Sequence, residues 1–277
     1  MKRIAAIGML ILTIMVTVLT GCTDEELTQD EIEQLVNDVL VTNAEVETCR
    51  FDMDTLTTIE TIGGPDSGEG IMTGHGFGVI DSANKRMQMV LDMDISIPER
   101  DKQTMSMESH IDGGWMYVTM NLPEDEEKQF KMQMPDDMWN KQSQLEQQAR
   151  LLRTAEEVLS LESGNVDGTS CYVVEIVPAA DFLDEFLSQM EMPDIEGMDP
   201  LDLNFRDLIK EMSFKQWIAK DSYLILRSAT QVLMEFVPED VGATEDDFER
   251  ITVNQTSEMS FYDFNEAVSI EIPDEVK

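Results

Sequence analysis

A period of two through the middle of the chain constrains the fold more than any other feature. Met87, Met89, Leu91, Met93 and Ile95 recur at every second position. In an extended strand such residues share one face, whereas on a helix positions i and i+2 do not. Phe51, Met53, Thr55, Thr57 and Ile59 show the same period upstream, and Met105 and Met107 continue it downstream. Turn chemistry separates the runs at 63–68, 82–85, 98–101 and Asp112-Gly113-Gly114. Further strands are expected at 70–81, 115–120 and 130–134. Successive strands with short turns make an antiparallel meander with one apolar face.

The period changes elsewhere. Ile32, Leu35, Val36, Val39 and Leu40 recur at helical spacing. Trp139, Leu145, Leu151, Leu152, Ala155 and Val158 predict a helix from 138 towards 159. A strand at 171–177, a helix at 179–190 and an acidic loop at 191–202 follow, with a short helix at 203–212. The last third reads as β again: strands 214–220 and 222–236, an acidic loop 237–249, and strands 251–264 and 268–272. No repeat or second domain boundary interrupts this pattern. The expected organisation is a leader at 1–21, a tether and helix at 22–47 and one domain at 48–277.

The leader is read from its own residues. Lys2 and Arg3 precede an apolar run from 4 to 19, and Leu19-Thr20-Gly21-Cys22 follows. That layout is a secretory signal, and its last four residues resemble the lipobox of prokaryotic lipoproteins. The resemblance implies a lipid on Cys22 and anchorage on the outer face of the cytoplasmic membrane or cell envelope. An exported chain can keep disulfides, so Cys49 and Cys171 are a candidate pair. Sequence alone leaves that pairing open, because bridging depends on geometry.

Net charge is −38. Such a chain repels nucleic-acid phosphates, and no nucleic-acid partner is expected. Hydrophobic residues still make up 42%, enough for a packed core.

Two stretches carry a wider likeness. Residues 216–224, QWIAKDSYL, and 261–273, FYDFNEAVSIEIP, resemble the late hairpin and closing strand of the LolA/LppX-like envelope lipoproteins. Gly114-Trp115-Met116-Tyr117 is similar to an apolar hairpin run of that group. The resemblance implies an α+β fold in which a curved antiparallel sheet, an unclosed barrel, wraps over helices. It also implies an apolar cavity between sheet and helices that takes lipid non-covalently.

The expected pocket lining is Met87, Met89, Leu91, Met93, Ile95, Met105, Met107, Trp115 and Tyr117. Methionine suits an adaptable apolar wall. The same alternation also serves ordinary core packing or a soft-metal thioether site, although the histidines or tight Met-x-x-Met spacing of copper sites are not evident. Acidic loops at 191–202 and 239–247 could offer calcium oxygens but read more simply as solvated charge runs. His75 and His110 are expected to be half-exposed strand residues. No catalytic elbow, phosphate loop or zinc helix is present, so no enzyme, cofactor or metal is expected. The competing expectation is a structural or sensing lipoprotein whose acidic surface binds cations or a protein partner.

Overall fold

The computed structural model describes residues 27–65, 67–97, 101–123, 126–134, 139, 143–179, 182, 205–241, 243–244 and 246–271. The leader, Cys22, the loop 191–202 and most of the helix expected at 179–190 lie outside them.

Twelve strands form one antiparallel sheet: β1 Thr48–Ile62, β2 Gly68–Asp81, β3 Arg86–Ser96, β4 Gln103–Asp112, β5 Trp115–Leu122, β6 Glu126–Gln133, β7 Ala155–Ser160, β8 Gly164–Val166, β9 Thr169–Pro178, β10 Ile209–Ala219, β11 Ile225–Phe236 and β12 Arg250–Tyr262. Their order is β6-β5-β4-β3-β2-β1-β12-β11-β10-β9-β7, with β8 paired to β9. The path begins at β6 and ends at β7, so the sheet is unclosed. Among the described residues two helices of ten residues or more accompany it, α1 Gln29–Ala44 and α2 Gln144–Arg153. The fold is therefore mostly sheet rather than a balanced α+β mixture.

Local chemistry explains α1. Thr28 and Glu31 form a reciprocal capping box that satisfies two N-terminal donors. Ile32, Leu35 and Val39 lie on its buried face and join one core cluster with Cys49, Phe51, Ile80, Met87, Ile176, Phe214 and Phe261. Asn43 fixes the helix to the β10–β11 turn: its Nδ2 donates to Tyr223 O at 3.1 Å, and Ile225 N donates to its Oδ1 at 3.3 Å.

Three expectations are corrected. The helix towards 159 ends at Arg153, and Ala155–Ser160 is strand β7. Val158 pairs with Ile176, so the edge of β9 captures residues whose apolar spacing also suits a helix. The helix at 203–212 shrinks to the turn Phe205–Leu208, because Ile209 and Met212 pair with Met234 and Val232. The strand expected at 268–272 does not form through residue 271. That segment is held instead by Asn265, whose N donates to Thr48 O and whose Oδ1 accepts from Glu47 N, and by Ile270, which is buried.

Candidate functional site

Paired residues of neighbouring strands share a face, so the register divides the sheet's side chains into two sets. Cys49, Phe51, Met53, Thr55 and Thr57 of β1 sit opposite Ile80, Gly78, Gly76, Gly74 and Met72 of β2. The next ranks are Met87, Met89, Leu91 and Met93 of β3, then Ile111, Ser109, Met107 and Met105 of β4. Met116, Val118 and Met120 of β5 and Phe130 and Met132 of β6 extend the same set. On the other side of β1 it runs through Met259 of β12, Met234 of β11 and Met212 of β10. This is the inner face, which carries the strand members of the core cluster. Every methionine of the twelve strands lies on it.

Packing on this face is graded. Met87 and Ile111, near the helices, are buried, whereas Met89, Leu91, Met93, Ile95, Met105 and Met107 are only partly so. Phe130 and Met132, on edge strand β6, are exposed. Phe182, from the segment expected to be a helix at 179–190, meets Phe214 edge-on with ring centroids 6.3 Å apart.

Seven of the nine expected lining residues are brought together here. Trp115 and Tyr117 are not. Trp115 pairs with Asp112 and Tyr117 with His110, which puts both on the outer face. Lys131, opposite Tyr117 on β6, stacks over both rings, 5.2 Å from the Trp115 centroid and 4.9 Å from that of Tyr117. The strand period accounts for the difference: Met116, not its two neighbours, carries the inward parity.

A stripe of glycines shapes the inner face. Gly74, Gly76 and Gly78 alternate on β2 and point inward. The Phe51 ring fills the place where a Gly78 Cβ would stand, with Cζ 2.4 Å from that position. Met53 Cε and Leu91 Cδ1 come within 3.3 and 3.4 Å of the Gly76 position. Side chains of β1 and β3 thus meet over β2, as they do where sheets bend sharply. The alternation of glycines is visible in the sequence, yet apolar periodicity alone passes over it.

The outer face carries the charged and polar rows, with Leu56, Ile71 and Phe77 exposed among them. Asp54, His75, Asp92 and Ser106 form one cross-strand row, and Thr73, Asp94 and Thr104 form the next. With Asn121 and Glu127 they line a trough of about 920 Å³. A second trough of about 430 Å³ shares Asp54 and reaches Lys215, Gln231 and Glu258. His75 Nδ1 lies 2.8 Å from Asp54 Oδ1, and that hydrogen bond raises the imidazole pKa above its ordinary value. Among the described residues no group of three or more histidines, cysteines or acids could hold a metal ion.

His110 departs from its expected half-exposure. It is buried, its Nε2 lies 2.9 Å from Glu108 Oε1, and its Nδ1 has no hydrogen-bond partner among the described residues. Cys49 and Cys171 are also buried, and both are free thiols. Strands β12, β11 and β10 lie between those that carry them. Four strand spacings are roughly 19 Å along a sheet, far beyond the ~7 Å Cα limit of a bridge. Burial pushes the Cys49 thiol up to about 12. Among the described residues no helix is long and apolar enough to cross a membrane.

The chain belongs to the family of unknown function DUF6612, whose model matches residues 31–277. No curated protein matches the sequence. Among solved structures it is similar to the lipoprotein LppX of Mycobacterium tuberculosis, with 11% identity and a TM-score of 0.40 over 88% of this chain and 100% of that one. LprF from Mycobacterium bovis gives 10% identity and a TM-score of 0.44 over 88% and 98% of the two chains. A DUF1329 family protein from Desulfovibrio piger gives 12% identity and a TM-score of 0.28 over 87% and 95%.

Proposed function

We propose that this member of DUF6612 is an envelope lipoprotein, anchored through a lipid on Cys22, that binds a lipid-like ligand non-covalently against its inner face. One observation carries the reading. Every strand methionine lies on one face, and towards β3–β6 those side chains are left partly or largely uncovered. A core that only needed filling would bury them to the same depth as Met87 and Ile111. Methionine adapts to ligands of irregular shape, because its unbranched thioether repacks at low cost. Each buried CH₂ of an acyl chain contributes ~0.8 kcal/mol, enough to compete with a bilayer if the wall is preformed.

The test is extraction of the lipidated protein from envelopes, followed by mass spectrometry of the organic phase. A stoichiometric apolar molecule is expected, and Leu91→Lys should remove it. A wild-type protein that carries no such molecule and takes up none from vesicles would refute the reading.

A second reading rests on the outer trough, whose acidic lining suits a cation or a basic protein segment. It expects no catalysis. Calorimetric titration with calcium or spermine distinguishes it: salt-sensitive binding lost in Asp54→Asn/Asp92→Asn supports the trough as the working surface, and no heat excludes these cations.

A further inference from the structure

Charge is distributed across the sheet with one rule. In β1–β5, β11 and β12, every Asp, Glu, Lys, Arg and His side chain falls on the outer face, and none on the inner. Arg50, Asp52 and Asp54 of β1 show the pattern, as do Asp92 and Asp94 of β3, each flanked by inward apolar or uncharged residues. The chain carries a net charge of −38, so a charge-free face of this extent is not a matter of composition. Cations border that region: Lys128 is inward on edge strand β6, and the Arg150 guanidinium of α2 lies 6.0 Å from the centroid of Phe182, the ring that meets inward Phe214.

The inner face also has two chemical halves. Across β2–β5 it is mainly methionine, leucine, isoleucine, valine and glycine, with Ser109 and Gln103 of β4 the polar exceptions. Across β1, β12, β11 and β10 uncharged hydrogen-bonding groups stand among apolar residues such as Met53, Val253, Val232 and Phe214. Thr55, Ser257 and Thr230 form one row, Gln255 stands in the next, and Ser228 pairs with Gln216 beside Met259. Gln216 is fully buried. Its Nε2 donates to Gln148 O on α2 at 2.9 Å, and its Oε1 has no hydrogen-bond partner among the described residues. A buried acceptor left open is the group that a ligand hydroxyl or amide would satisfy.

Resting on the apolar-ligand reading above, we infer that the ligand is an uncharged amphiphile. Its chain lies on the methionine half, and its head, bearing hydroxyl or amide groups, lies on the Thr55–Ser257–Thr230 row and Gln255. On β1–β5, β11 and β12 an anionic head would find no inward cation, and it would meet the field of a strongly acidic chain. A cationic head would find no inward carboxylate on those same strands. Either would be buried without a counter-charge, which is strongly disfavoured. An uncharged polyol head exchanges its water contacts for hydroxyl and amide contacts at little net loss.

The experiment compares three probes of one chain length on the delipidated full-length protein at pH 8: monopalmitoylglycerol, palmitate and hexadecyltrimethylammonium. The glycerol ester should bind about tenfold or more tightly than either ion, a preference set by head-group desolvation alone. Gln255→Lys should shift the preference towards palmitate, because it places a cation where none exists. The near-isosteric Thr230→Val should weaken the ester and leave palmitate unchanged, and it guards against a folding defect in the lysine variant. Equal or tighter binding of palmitate overturns the head-group inference and leaves the apolar site standing. Absence of binding by all three overturns both.

Discussion

Gly78→Ala tests how the inner face is built. An alanine Cβ there would stand 2.4 Å from Phe51 Cζ, 2.5 Å from Cε1 and 2.7 Å from the backbone oxygen of Gln88. Ordinary contacts need 3.4 Å or more, so the Phe51 ring must retreat by about 1 Å, and the β3 backbone cannot yield on the other side. Phe51 is fully buried at the centre of the core. Overpacking costs ~1–3 kcal/mol, and losing the ring's packing altogether, as in Phe→Ala, costs ~3–5. Removing a glycine returns ~0.4–1 kcal/mol through the unfolded state. The net is a destabilisation of about 2–3 kcal/mol. With a urea m-value of roughly 3 kcal/mol/M, the midpoint should fall by about 0.8 M. Gly76→Ala is the internal control. Its nearest neighbours are at 3.2–3.4 Å, and one is the mobile Met53 Cε, so its midpoint should move by less than ~0.2 M. In a Phe51→Ala background most of the Gly78→Ala cost should vanish, a coupling of ~1–2 kcal/mol. Equal losses from Gly76→Ala and Gly78→Ala, or full additivity with Phe51→Ala, would refute the claim that Phe51 closes over β2 at this point.

Three other outcomes follow from the geometry. With its thiol held near 12, Cys49 should resist iodoacetamide at pH 8 in the native state and react fully in denaturant; rapid native labelling would contradict its burial. His75, raised by Asp54, should titrate above its ordinary 6.5; because the folded value is the higher one, the pair stabilises the fold below the unfolded pKa and loses that contribution as pH rises through the folded one. Proton NMR should show the His75 midpoint fall in Asp54→Asn, and an unchanged midpoint would remove the pair from the account. Asn43→Ala strands Tyr223 O and Ile225 N and should cost about 2–4 kcal/mol at ~1–3 per buried orphan, read as a lowered midpoint; a change under ~0.5 kcal/mol would mean that water replaces the amide.

The meander was legible because its strands are amphipathic. β1 to β5 appear at nearly their expected bounds, since a period of two with one buried face admits a single register. β7 was hidden because Ala155 and Val158 also suit a helix, and only the open edge of β9 decides between the two. The strand expected at 268–272 carries β-branched residues, but such residues make a strand only where a pairing edge is free. Trp115 and Tyr117 stand one step out of phase with Met116, so strand parity sends them outward although the run they belong to is apolar. The free cysteines and the buried His110 depend on which strands lie between or over them, and local sequence carries no record of that.

Parity also resolves an apparent conflict in the composition. A chain of net charge −38 would be a poor place to hold an apolar molecule if its carboxylates were scattered over both faces. Each inward carboxylate would keep water in the site and raise the free energy of the bound state. The period of two removes the conflict, because one register sends Asp52, Asp54, Asp92 and Asp94 outward together and Met53, Leu91 and Met93 inward together. A one-residue slip anywhere in β1–β4 would exchange the two sets. The acidic surface and the methionine face are therefore two consequences of one alternation. A substitution that puts a charge inward, such as Leu91→Lys, should damage the site far more than neutralising several outward charges at once.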